Sequence, residues 1–249
     1  MSKKLIIGNW KMYKTITETT SYLQRFKSLI SPADFARVNA VFCVPFTSIA
    51  VAAHMSGNGI FVGAQDMHYE SEGPYTGEIS AKMLKDAGAK YVLLGGSERF
   101  GTFDNIHLRV LKALEEGLNP VISLGETAQE RDNFKTETVL KRQTAAALKG
   151  IPERYIKNII IAYEPVWAVG TNRYASVAEA SGGIMDIRSA VLSMYSGTAA
   201  DEMQMIYGGS VNSANAGNLL ATRNINGVII GRNSLNPNDF YSIIKCVKM

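Results

Sequence analysis

The amino-acid sequence predicts a single α/β domain over residues 1–249, a closed (β/α)8 barrel, and three observations predict it. Eight short runs rich in Val and Ile recur along the chain, mostly apolar on consecutive positions, as strands buried on both faces of a parallel sheet are. Helix-period stretches separate these runs, so the chain reads as repeated β/α units of roughly 30 residues. No Pro/Gly/Ser linker or shift in composition marks a second domain, and eight such units in about 250 residues is the usual length of this barrel. An open, doubly wound sheet is the alternative, but it calls for a G-x-G-x-x-G turn after an early strand, and the sequence has none.

Taken in order, the apolar runs predict strands at 5–8, 40–44, 60–64, 91–95, 120–124, 159–163, 204–207 and 228–230. Amphipathic spacing predicts helices at 17–30, 80–86, 106–116, 134–148, 176–195, 213–220 and 237–247, with a short one around 47–54. Gly88 and Gly117 follow two of them as helix-stopping glycines, and Ser213 before Ala214-Asn215-Ala216 suits an N-cap.

Composition narrows the function classes. A chain of 249 residues buries enough core to need no disulfide or metal staple, and 46% hydrophobic with 19% charged residues is ordinary for a globular enzyme. The net charge of +4 is scattered, with no Lys/Arg block to grip nucleic acid, and suits a small anionic ligand. Cys43 and Cys246 lie far apart and in no CxxC spacing, which argues against a zinc site and for a reducing, cytoplasmic setting. The run Leu5-Ile6-Ile7 is too short for a signal peptide, and no later stretch approaches ~18 apolar residues, so no membrane association is expected.

In such a barrel, function sits at the C-terminal ends of the strands. Three clusters there carry a physical logic. Lys11 stands two residues past the first strand beside Asn9, either a working cation with an amide neighbour or an ordinary surface lysine. Glu164 directly follows the apolar run 159–163, where partial desolvation raises a carboxylate toward a useful base, although a rim salt bridge fits the position equally. Glycines follow the seventh and eighth strands, in Tyr207-Gly208-Gly209-Ser210 and Ile230-Gly231-Arg232-Asn233. Backbone N–H groups exposed there cradle phosphate in many barrels.

These residues carry a resemblance. Asn9-Trp10-Lys11-Met12, the run Ala-Tyr-Glu-Pro-Val-Trp-Ala-Val-Gly-Thr at 162–171, and Tyr207-Gly208-Gly209-Ser210-Val211 resemble the signature segments of the triosephosphate isomerase family. Gly63-Ala64-Gln65, Tyr75-Thr76-Gly77-Glu78 and Ser97-Glu98-Arg99 extend the likeness, in family order, across essentially the whole chain. The resemblance implies the (β/α)8 TIM barrel and interconversion of dihydroxyacetone phosphate and glyceraldehyde 3-phosphate through an enediolate, with no metal and no organic cofactor. It makes Glu164 the proton-transferring base, and Lys11 the cation that offsets negative charge, with Asn9 beside it and Glu98 in support. It makes 165–171 the lid over the substrate, and Gly170, Ser210, Gly231 and Arg232 the phosphate grip. The long loop at 65–79, in the same likeness, reaches a second subunit near Thr76, which implies a homodimer.

The sequence also departs from that pattern. Where the family reads Gly-His-Ser-Glu-Arg, this chain reads Gly95-Gly96-Ser97-Glu98-Arg99, so the electrophilic imidazole is gone. The segment 100–104 is a few residues shorter than the family norm, Ser123 replaces a usual cysteine, and Arg232 a usual glycine. Losing a positioned acid or electrophile costs about 10²–10⁴ in rate, so a low-activity isomerase is expected. A paralogue acting on a different or larger sugar phosphate and a phosphosugar binder without catalysis stay open. Only His54, His68 and His107 could stand in for the missing group, and His107, just after the shortened segment, is the best placed.

Overall fold

Eight parallel strands pair in sequence order and close on themselves. The structure, a computed structural model, describes residues 3–96, 98, 103–170 and 173–248. The strands are β1 (Lys4–Asn9), β2 (Val38–Cys43), β3 (Ile60–Ala64), β4 (Tyr91–Gly95), β5 (Asn119–Leu124), β6 (Ile160–Tyr163), β7 (Gln204–Gly209) and β8 (Gly227–Ile230). The consecutive apolar runs are explained by two cores. Alternate residues such as Leu5, Ile7, Val121, Ile160 and Ile229 fill the barrel interior. Their neighbours Ile6, Phe42, Ile122, Ile161 and Val228 face outward under the helices.

The helices are α1 (Ile16–Leu29), α2 (Pro32–Phe35), α3 (Ile49–His54), α4 (Ala81–Asp86), α5 (Ile106–Glu115), α6 (Ala128–Asp132), α7 (Thr136–Leu148), α8 (Val177–Leu192), α9 (Gly197–Glu202), α10 (Ser213–Ala221) and α11 (Pro237–Ile244). Among the described residues, no helix is long and apolar enough to cross a membrane. Cys43 is buried, Cys246 is half-buried, and both are free thiols.

Several sequence expectations need correction, and the helix expected to run to 247 stops at Ile244. The N-cap of α10 is Asn212 rather than Ser213. Its Oδ1 accepts from the N–H groups of Ala214 and Asn215 at 2.9 and 3.3 Å, while the Asn215 side chain returns to the Asn212 N–H. The helix expected from 134 begins at Thr136, because Phe134 holds a left-handed φ of 56° and points into solvent, 97% exposed. The helix expected to run to 195 stops at Leu192.

The barrel closes where β1 pairs with β8, from Leu5 opposite Gly227 to Gly8 opposite Ile230. A Cβ at Gly227 would collide with the Leu5 carbonyl, so this seam requires glycine. Outside it, Phe26 of α1, Phe42 of β2 and Phe240 of α11 pack with ring centroids 5.0–5.7 Å apart. Trp10 joins them, 5.7 Å from Phe42, and so anchors the chain one residue before Lys11.

Candidate active site

A cavity of about 450 Å³ opens at the C-terminal ends of the strands. Asn9, Lys11, Glu164, Gly170, Ser210, Gly231 and Arg232 all line it, so the structure brings the sequence-predicted residues of β1, β6, β7 and β8 together.

Glu164 leaves β6 with its N–H on the Leu124 carbonyl at 2.7 Å. The Ser123 hydroxyl donates to its Oε2. A Cβ on Gly208 would lie 2.6 Å from Oε1 and closer still to Cγ, so only glycine on β7 leaves room for this carboxylate. Burial raises the Glu164 pKa above the ordinary carboxylate value. The Ser123 hydrogen bond and the Lys11 charge pull it back, and the Glu98 charge pushes it up.

Lys11 sits at φ 51°, a left-handed conformation that lysine seldom adopts. Side chains hold it there. Asn9 Oδ1 accepts from the Lys11 N–H at 3.0 Å, and Gln65 Nε2 donates to the Lys11 carbonyl at 2.8 Å and to the Cys43 carbonyl at 3.1 Å. Such a backbone costs of order 1–3 kcal/mol and persists where its surroundings over-determine it. The Lys11 ammonium pairs with the Glu98 carboxylate across the mouth of the barrel.

The loops after β7 and β8 form the opposite wall. Asn215 Nδ2 donates to the Ser210 carbonyl at 2.8 Å, and Asn233 Nδ2 to the Val211 carbonyl at 2.7 Å. Ser234 Oγ holds the Gly231 carbonyl at 2.7 Å across a short 3-10 turn at Arg232–Ser234. With these carbonyls tied down, the first N–H groups of the turn are the kind of donors that bind an oxyanion.

The lid is anchored at both ends. Glu126 is fully buried and accepts from Tyr163 Oη at 3.1 Å, Trp167 Nε1 at 2.9 Å and Arg131 Nη1 at 3.3 Å. Its backbone carbonyl takes the Val166 N–H at 2.9 Å. Further along, Ser210 Oγ donates to the Ala168 carbonyl at 3.2 Å, and the Ala175 N–H donates to Tyr207 Oη at 3.2 Å. Val169 and Gly170 line the cavity between these anchors. Thr171, named with the lid in the sequence, lies outside the described residues.

At the end of β4, Gly95 and Gly96 hold φ of 79° and 107°. No atom of a described residue comes within 4 Å of where a Gly96 Cβ would sit. Ser97, Arg99 and residues 100–102 of the altered segment lie outside the described residues. None of the three histidines lines the cavity: His54 ends α3, His68 lies against the rings of Tyr69 and Tyr75, and His107 is the second residue of α5. The long third loop is tied at its base by the His68 N–H on the Ile79 carbonyl at 2.8 Å, and Thr76 lies on its exposed stretch.

Sequence reasoning assigns no work to Gln65, Ser123 or Glu126. In the structure, Gln65 pins the Lys11 backbone, Ser123 holds the base, and Glu126 secures the lid. Among the described residues, no group of three His, Cys, Asp or Glu side chains could hold a metal ion.

Comparison with known proteins places this geometry in company. A sequence model of the triosephosphate isomerase family matches residues 4–247. The triosephosphate isomerase of Alkaliphilus oremlandii is 39% identical over 98% of this chain and 99% of its own length. That of Dictyoglomus thermophilum is also 39% identical, over 98% and 100%. The crystal structure of triosephosphate isomerase from Bartonella henselae superposes with a TM-score of 0.85 at 35% identity, covering 98% of this chain and 99% of that one.

Proposed function

This chain belongs to the triosephosphate isomerase family, and we propose that it interconverts dihydroxyacetone phosphate and glyceraldehyde 3-phosphate at a rate lowered by the glycine at position 96. The observation that carries this reading is the convergence, in one cavity, of a carboxylate of raised pKa, an ammonium on a constrained backbone and two phosphate-suited loops.

Glu164 takes a proton from the carbon beside the substrate carbonyl, and the electron pair left behind moves into an enediolate. Lys11 and the Asn9 amide offset the negative charge that gathers on oxygen. The hydroxyl proton of the enediolate crosses to the neighbouring oxyanion and Glu164 returns its proton to the neighbouring carbon, which together complete the isomerisation. Gly170, Ser210, Gly231 and Arg232 hold the phosphate, and the lid at 165–170 keeps water from the enediolate. Glu98 orients Lys11. The scheme uses no metal and no cofactor. With glycine at 96, no imidazole polarises the carbonyl or moves protons between the two substrate oxygens, and turnover falls by about 10²–10⁴-fold. Two chains pair through the exposed loop around Thr76, and the enzyme works in the cytoplasm.

The open space at Gly96 favours a second reading, a barrel that accepts a different or larger sugar phosphate or binds one without turnover. The deciding experiment is isomerisation of glyceraldehyde 3-phosphate by the native chain and by Glu164→Gln. Slow turnover that drops a further 10²–10⁴-fold, roughly, in the variant supports the isomerase. Equal rates support the second reading.

A further inference from the structure

The inner layer of the barrel directly beneath the base is built from small residues. Ser123 follows Val121 on the interior face of β5, with Gly95 opposite it on β4 and Ala162 opposite it on β6. Its hydroxyl donates to Glu164 Oε2. The other oxygen, Oε1, lies against Gly208 and takes no hydrogen bond from a described residue. The two oxygens of one carboxylate thus have different surroundings.

We propose that Ser123 is a positioning residue for the base: its hydroxyl pins Oε2, makes Oε1 the oxygen that exchanges protons with substrate, and sets the acid limit of activity. The proposal rests on Glu164 being the base. A hydrogen bond donated to an ionised carboxylate favours the ionised form, so the hydroxyl opposes the burial that raises Glu164. Among the described residues, the other charged or titratable groups facing Glu164 are Lys11 beyond β1, Glu98 beyond β4 and Tyr207 on β7. The Ser123 variants leave all three in place, so a change in titration belongs to the hydroxyl.

The test uses Ser123→Ala, Ser123→Cys and Ser123→Thr in the full chain. It reads the pH profile of kcat/KM and, independently of turnover, the titration of the Glu164 carboxyl by carbon-13 NMR. Losing a hydrogen bond to a charged group should move both midpoints up by about one pH unit in the alanine variant. The cysteine variant, with a weaker donor, should move less, and the threonine variant should titrate like the native chain. An unchanged midpoint in Ser123→Ala overturns the proposal. A threonine shift as large as the alanine one overturns it as well, because the effect would then lie in packing. If Glu164→Gln turns over as fast as the native chain, the isomerase reading falls, while the NMR titration still decides whether Ser123 holds the carboxylate.

Discussion

From β5 round to β8 the rim of the barrel is packed side chain against side chain, whereas β4 ends in two successive glycines, Gly95 and Gly96. On the packed side, Gly208 is glycine because the Glu164 carboxylate occupies the space a Cβ would need. At β4 the setting of Gly96 is different: its φ of 107° is one that other residues rarely adopt, and no described neighbour crowds it. The same residue type therefore marks tight construction at Gly208 and, among the described residues, open space at Gly96. In the proposed reaction the groups that move a proton between carbons are those of the packed side, and the missing imidazole belongs to the β4 side.

The largest effect that would sharpen this contrast comes from the two glycines themselves. Gly208→Ala should displace the Glu164 carboxylate and lower kcat by about 10²-fold, since misplacement by about 1 Å is worth that much. Gly96→Ala should change kcat little and instead cost about 1–2 kcal/mol of stability through its left-handed backbone. A steady-state comparison of the pair checks this, and equal losses of kcat would break the contrast.

A smaller effect is expected from supplying the missing group. Free imidazole should raise kcat/KM by about tenfold, a fraction of what a positioned acid contributes, and should do nothing for Glu164→Gln. An imidazole-independent rate would mean the β4 side is not where activity is lost.

The smallest expected effect is on stability. Because the folded-state pKa of Glu164 lies above its unfolded value, the unfolded chain gives up this proton first as pH rises. Stability is therefore lost between the ordinary carboxylate range and the raised value. Glu164→Gln removes that penalty, so its Tm near neutral pH should exceed the native value by about 2–4 °C. The difference should vanish in acid, where both carboxyl states are protonated. Thermal unfolding at two pH values tests it.

The strands were legible because burial on both faces leaves consecutive apolar residues. Their ends were less so. Gly208 and Gly209 read as turn residues, yet both pair with β8, opposite Ile229 and Ile230. The short helices α2 and α9 carry too few residues for a period to show, and they are held by caps at Ser31 and Ser196. At the site, Lys11 and Glu164 were legible from their place just past a strand. What they touch was not. Ser123 lies 41 positions from Glu164, Gln65 lies 54 from Lys11, and Glu98 lies 87 from Lys11. Those pairings exist only because the barrel curls these strand ends toward one another.

The seam between β1 and β8 has a consequence for how the molecule comes to work. Lys11 hangs from the first strand and Gly231 from the last, and a Gly231 Cβ would lie 3.4 Å from the lysine Cε. That neighbourhood spans nearly the whole chain, so it forms only when the most distant pairing in the sheet is made, which is the slowest kind of contact to reach. Without the last strand the chain has the base but not the wall that Gly231, Arg232 and Asn233 give the cavity. The last strand is the one that completes the cavity.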